Sequence, residues 1–295
     1  MTSVVAPRVA PLLPQWVDLV ALSKPRVTGL VVMTAVTGLV VAPGPVDVVR
    51  ALGMLAATWL LVASANTLNC WLERDSDRCM ARTAQRPLPA GRIRPDVALA
   101  WGLALMMVSL PALALASNVL TAVLGLIAHL SYVLAYTPLK RVSAWSTPVG
   151  CIPGAMPPLM GWTAMTGTLD VPAFMLFAFV ALWQMPHTVA IGMFRRKEYE
   201  EAGLKVIPSE AGPVFSRGLI EITTLALVVL TLLFPVVGVV GTVYSVVAVA
   251  LGAPLVVVVM RGPGRESLER WARKVFVLSM VHFAALLVLM AVDAR

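Results

Sequence analysis

The sequence predicts an all-α protein: a polytopic membrane bundle of nine transmembrane helices around a central cavity. Three observations predict it. Hydrophobic types make up 59% of the 295 residues and charged types 13%, against roughly a quarter charged in a typical soluble domain. Mean hydropathy is +0.87. Apolar stretches close to the about 20 residues needed to cross the hydrocarbon core recur along the whole chain. Together these exclude a disordered chain, a fibrous one and an ordinary soluble enzyme.

Residues 1–26 are expected to form a cytoplasmic or interfacial segment without a cleavable signal. Within it, Trp16, Val17, Val20 and Ala21 share one helical side and Asp18 lies off it, which suits a short helix at the headgroup level. The membrane domain occupies 27–295, with spans at 27–42, 51–68, 97–116, 119–135, 148–164, 171–193, 219–237, 241–260 and 275–292. Residues 238–241 make a tight turn between the seventh and eighth.

Lysine and arginine set the orientation. Three fall in the N-terminal segment, six after span two, two after span four, five after span six and five after span eight, so 21 of 23 lie on one side. Only Arg50 and Arg295 lie on the other. The expectation is a cell (bacterial inner) membrane protein with a cytoplasmic N-terminus and an outer C-terminus. The net charge of +8 thus reflects membrane sidedness, and no nucleic-acid partner is expected. Cys70, Cys79 and Cys151 form no CxxC pair and read as isolated thiols.

Chemistry concentrates in the cytoplasmic loops. Asn69, Glu73 and Asp77 recur every four residues, so on a helix they make one polar stripe about 12 Å long. Oxygen donors of this kind suit Mg²⁺, which takes a few carboxylates together with substrate phosphates. The bland alternative is a solvated helix end with Glu73–Arg78 or Asp77–Arg74 pairs. It is the weaker reading, because Asn66 and Asn69 lie within an apolar run where polar groups are costly. Asp75 points away from the stripe if the helix continues and could join it if the helix unwinds there. Arg82 and Arg86 sit in a proline-bounded turn and could fork phosphate oxygens, or serve sidedness alone, as Arg92 and Arg94 do. Lys140 and Arg141 could hold a diphosphate or anchor the interface with Tyr136. In span six, Pro186 is expected to kink the helix, and Gln184 and His187 share a face. His187 could contact substrate, position a water, or bond a carbonyl freed by Pro186. His129 and His282 read as structural. Glu198 and Glu201 could offer a second acidic face. No Walker loop, GxGxxG turn, GxSxG elbow or zinc spacing is present.

The Asn69-xxx-Glu73-xxx-Asp77 run resembles the NxxxDxxxD motif of the UbiA superfamily of intramembrane prenyltransferases. Four further stretches resemble its protohaem IX farnesyltransferase (haem O synthase) branch: Ser23–Arg26, Arg82 to Pro87, Tyr136 through Trp162, and Trp183-Gln184-Met185-Pro186-His187. Two departures stand out. Glu73 replaces the commoner Asp, and Lys197-Glu198-Tyr199 stands where Glu-Asp-Tyr is more usual. The resemblance implies Mg²⁺-dependent transfer of a farnesyl group from farnesyl diphosphate to a vinyl group of protohaem IX, with water addition, giving haem O and diphosphate. It further implies that Asn69, Glu73, Asp77 and Glu198 serve the metal and that Arg82, Arg86, Lys140 and Arg141 hold the diphosphate. Asn66, Tyr136, Trp183 and Gln184 would then meet the haem or prenyl group, with His187 catalytic. Haem A synthase or terminal-oxidase assembly would be the downstream partner. The competing readings are a UbiA-type aromatic prenyltransferase of quinone synthesis and a secondary transporter. The Trp183–His187 stretch argues against the first. Acids gathered at one face rather than the midplane argue against the second.

Overall fold

Several helices start at side-chain caps or prolines, and two, ending at Thr166 and Arg261, stop at glycines. The computed structural model describes residues 12–80 and 83–294, so Arg82, Arg8 and Arg295 lie outside the described residues. The elements are α1 (Leu12–Leu22), α2 (Pro25–Val41), α3 (Val48–Asp77), α4 (Pro95–Ala116), α5 (Val119–Leu130), a π-helical turn (Ser131–Tyr136), α6 (Thr137–Leu139), α7 (Ser146–Thr166), α8 (Val171–Phe194), α9 (Arg196–Glu201), α10 (Ile207–Glu210), α11 (Gly212–Leu233), α12 (Thr242–Arg261) and α13 (Leu268–Val292). The Asp47 side chain caps α3, Asn118 caps α5, Asp170 caps α8 and Ser267 caps α13. Each satisfies backbone N–H groups that have no partner within the helix. Gly167 closes α7 in the left-handed region.

Each expected span overlaps a helix, the seventh running past the end of the helix that stops at Leu233, but the count of nine is not reached on length and hydropathy. Seven helices among the described residues meet that requirement: α3, α4, the continuous α5–α6 run, α8, α11, α12 and α13. The pair Trp16–Leu22 and Pro25–Val41, bent by 48°, makes an eighth if it is one span. The helix left out is α7, and its position gives the reason. It packs against α2, α5 and α8, and most of its residues are buried. An interior helix can keep Thr147, Thr163 and three internal prolines, because protein rather than lipid surrounds it.

Two glycines let α7 lie directly on α2. A Cβ on Gly38 would run into the Pro158 carbonyl, and one on Gly161 into the Ala35 carbonyl. Close backbone approach through small residues is a recurrent way for membrane helices to pack. Outside, large apolar side chains such as Leu30, Val49, Leu115 and Val229 remain exposed, as a lipid-facing surface requires. The α1 segment is tied to the bundle: Arg92 Nε donates to Asp18 at 3.0 Å, and Trp16 meets Trp101 edge to face at 5.4 Å.

Candidate active site

A chamber of about 420 Å³ opens among α2, α3, the π-helical turn, α7 and α8. Its lining follows α3 from Thr58 to Asp77, about 28 Å at 1.5 Å per residue. The lower wall is apolar, with Val27, Val31, Leu61, Ala65 and Met160. Charge is confined to one end.

At that end α3 presents the expected stripe. Asn69, Glu73 and Asp77 are all helical and buried, with 1%, 9% and 4% of their surface exposed. Each oxygen faces a cation from a different segment. Lys24 Nζ donates to Asn69 Oδ1 at 2.8 Å. Lys140 Nζ donates to Glu73 Oε1 at 2.8 Å. An Arg86 guanidinium nitrogen donates to Asp77 Oδ2 at 2.7 Å. The alternative pairs Glu73–Arg78 and Asp77–Arg74 do not form; Arg74 and Arg78 both turn to Asp75, outside the chamber. Four-residue spacing kept the stripe together and put Asp75 on the other side, as helical geometry demands.

The cations are held as deliberately as the acids. Lys24 is the one non-glycine residue with positive φ among those described, at 47°, a conformation that costs of order 1–3 kcal/mol. It sits in the break between α1 and α2, where burial pushes its pKa below the ordinary lysine value. Lys140 is reached through the π-helical turn, whose extra residue per turn rotates the segment beyond it. Thr137 Oγ1 donates to the Tyr132 carbonyl at 2.8 Å and accepts from Asn69 Nδ2 at 3.0 Å, which fixes the turn against α3. Lys140 then lies 4.4 Å from the Tyr136 ring centre. Burial opposes its charge, but Tyr136 and the Glu73 carboxylate outweigh burial and raise its pKa. Asn66 Nδ2 donates to Thr28 Oγ1 at 3.1 Å and also lines the chamber.

The remaining expected residues divide. Gln184 lines the chamber and donates to the Cys151 and Val180 carbonyls at 3.2 Å. Arg141 leaves Lys140 and bonds Ser76 and the Leu72 carbonyl instead. Glu198 accepts from Arg195 at 2.8 Å; its neighbour Tyr199, rather than Glu198, is among the chamber-lining residues. Trp183 and His187 turn to α13: Trp183 Nε1 donates to the Ser279 carbonyl at 2.9 Å, and His187 Nδ1 lies 3.4 Å from Ser279 Oγ. Pro186 lies inside the continuous α8 helix, and His187 beside it packs on α13 rather than lining the chamber. His129, read as structural, lines the chamber, with Nε2 2.9 Å from Ser64 Oγ. Sequence reasoning also missed Lys24 as a site residue. Its signal was a lysine squeezed between an apolar helix end and Pro25.

Among the described residues, no group of three or more His, Cys, Asp or Glu side chains gathers as a metal cage. Two carboxylates and an amide on one stripe still suit Mg²⁺, which takes one or two protein carboxylates and completes its shell from phosphate and water.

A helical membrane bundle with a deep apolar chamber, lined at one end by paired acids and cations, fits the class of intramembrane prenyltransferases. The chain belongs to the UbiA prenyltransferase family, whose model matches residues 31–284. It is 49% identical over 276 residues to a protohaem IX farnesyltransferase of Myxococcus xanthus, covering 94% of each chain. It is 45% identical over 271 residues to one of Anaeromyxobacter dehalogenans, covering 92% of each. Among solved structures, a digeranylgeranylglyceryl phosphate synthase superposes with a TM-score of 0.82 at 17% identity over 95% of this chain and 98% of that one. A UbiA homologue from Archaeoglobus fulgidus bound to DMAPP and Mg²⁺ gives 0.68 at 17% identity over 93% and 99%. These two likenesses concern the fold.

Proposed function

We propose that this prenyltransferase moves a farnesyl group from farnesyl diphosphate to a vinyl group of protohaem IX, with addition of water, giving haem O and diphosphate. The observation that carries the site assignment is the row of three oxygen–cation pairs at the charged end of an apolar chamber. High identity to two protohaem IX farnesyltransferases supports the substrates. A fold neighbour that binds a prenyl diphosphate with Mg²⁺ supports a divalent metal.

Breaking the allylic C–O bond leaves its electron pair on diphosphate, so the leaving group must be neutralised. Glu73, Asp77 and the Asn69 amide oxygen would hold Mg²⁺, with Glu198 as a further acid. The metal supplies Lewis-acid charge to the departing oxygens. Lys24, Lys140 and Arg86, now each bonded to a stripe oxygen, would exchange that partner for phosphate; Arg82 and Arg141 would complete the clamp. The stripe is thus charge-balanced when empty and able to sort its charges when filled. The prenyl chain would lie down the apolar wall, where exclusion of water protects the allylic cation. The vinyl π pair forms the new C–C bond. Water then adds to the resulting cation and gives up a proton. The basic asymmetry of the loops supports a chamber mouth facing the cytoplasm, in a cell membrane, with protohaem IX and the prenyl donor arriving from the bilayer.

The test is direct. Purified protein given protohaem IX, farnesyl diphosphate and Mg²⁺ is expected to form a pigment with the mass of haem O. EDTA should abolish its formation and added Mg²⁺ restore it. An unprenylated pigment under all conditions would overturn the proposal.

A further inference from the structure

The apolar end of the chamber is built around a glycine. On α3, α5 and α7 the lining ends at Thr58, Gly125 and Met160, with Leu61 one turn above Thr58. A Cβ on Gly125 would lie 2.9 Å from Leu61 Cδ2, 2.9 Å from Leu113 Cδ2 and 3.2 Å from Met160 Cε. Three side-chain tips, from α3, α4 and α7, therefore converge on the bare face of one residue of α5. Leu61, Leu113 and Met160 are all buried. One turn beyond Thr58, Met54 is buried as well, and its sulfur accepts from Thr58 Oγ1 at 3.8 Å. Met54 and Leu113 lie beyond the lining, so packed protein backs this end.

We propose that Leu61 and Met160, brought together over Gly125, form a floor that limits the prenyl donor to three five-carbon units. The inference rests on the prenyl-transfer reading and gives the farnesyl length a cause within this chain. From Glu73 to Leu61 the α3 helix rises about 18 Å. An extended chain of single bonds advances about 3.5 Å for every three bonds. Farnesyl diphosphate has fifteen bonds from its terminal phosphorus to its last main-chain carbon, or about 18 Å by that measure. With its diphosphate at Glu73, its chain end reaches Leu61. Geranylgeranyl diphosphate is four bonds longer, about 5 Å, and its end runs into the Leu61 and Met160 tips. Geranyl diphosphate is shorter by the same amount and leaves the floor uncovered. Gly125 is the enabling position, because a side chain there would force both tips to withdraw from each other.

The experiment uses the full chain in phosphatidylcholine nanodiscs with Mg²⁺. Geranyl, farnesyl and geranylgeranyl thiolodiphosphates, which ionise slowly, are titrated without any acceptor. In parallel the three diphosphates compete for transfer to protohaem IX, with products resolved by mass. Wild type is expected to bind the farnesyl compound about 100-fold more tightly than the geranyl one, which buries five fewer carbons. It should prefer farnesyl to geranylgeranyl about tenfold or more, because the longer chain must displace a packed floor. Leu61→Ala combined with Met160→Ala should erase that second preference. Leu61→Phe raises the floor and should weaken farnesyl binding while leaving geranyl binding unchanged. Leu255→Ala, at a fully buried position outside the chamber, should leave every ratio at its wild-type value. The affinities are compared as ratios within one preparation, so a lower yield of folded variant does not alter the reading. Unchanged ratios in the double alanine variant would overturn the proposal. So would equal binding of all three donors by wild type, which would mean that the chain leaves sideways into lipid. If wild type discriminates among the donors yet prenylates no protohaem IX, the functional reading fails and the floor stands.

Discussion

At the residue scale, the proposed chemistry rests on opposed charges that pair with one another along the stripe. Glu73→Gln and Asp77→Asn keep shape and remove charge, and turnover is expected to fall by about 100-fold or more, read as haem O formed per minute at saturating Mg²⁺. Near-normal rates in both would reject the metal assignment. Glu73→Gln also strands the mostly buried Lys140 ammonium, with a stability cost of about 3 kcal/mol, measurable as a lower unfolding temperature in detergent. Lys24→Gln removes a cation from the phosphate end without touching the acids. The KM for farnesyl diphosphate should rise about tenfold, the value of one charge-assisted contact, with the metal requirement unchanged. The acids were legible in the sequence because helical periodicity is local. Their partners were not. Lys24 and Lys140 lie 45 and 67 residues from Asn69 and Glu73, and no spacing rule reaches that far.

At the scale of elements, α3 explains why the stripe lies at a chamber mouth. Its 30 residues give about 45 Å, longer than the about 30 Å hydrocarbon core, so its last turns carry acids beyond the lipid. The α2–α7 crossing fixes the opposite wall. Gly161→Ala would push a methyl into the Ala35 carbonyl, a backbone atom that no rotamer change can move. A loss of about 1–3 kcal/mol is expected, as a drop in melting temperature; an unchanged melt would show that α2 and α7 are free to slide. The eighth helix shows how far face arguments carry. Gln184 and His187, three residues apart, are about 60° apart around the helix, and the seam between α7 and α13 falls between them. One side chain therefore meets Cys151 and the other Ser279.

For the whole molecule, sidedness is directly testable. Cys79 is exposed in the first basic loop, while Cys70 and Cys151 are buried, so the protein carries its own reporter. A membrane-impermeant maleimide should label Cys79 in inverted vesicles and leave it unlabelled in intact cells. Labelling from outside would place the charged end of the chamber on the wrong face for a cytoplasmic diphosphate.

The sequence by itself determined the helical membrane class, the positions of the long helices, the acidic stripe and the family. The first three depend on composition or on periodicities shorter than about two turns, and the family rests on the resemblance of its motifs. Tertiary structure decided which helix is interior, which cation meets which acid, and that Trp183 and His187 pack on α13 rather than line the chamber. The physical reason is that burial and charge pairing depend on which faces of distant segments meet. In a bundle where nearly every helix is apolar all round, hydropathy alone does not distinguish a lipid-facing side from a protein-facing one.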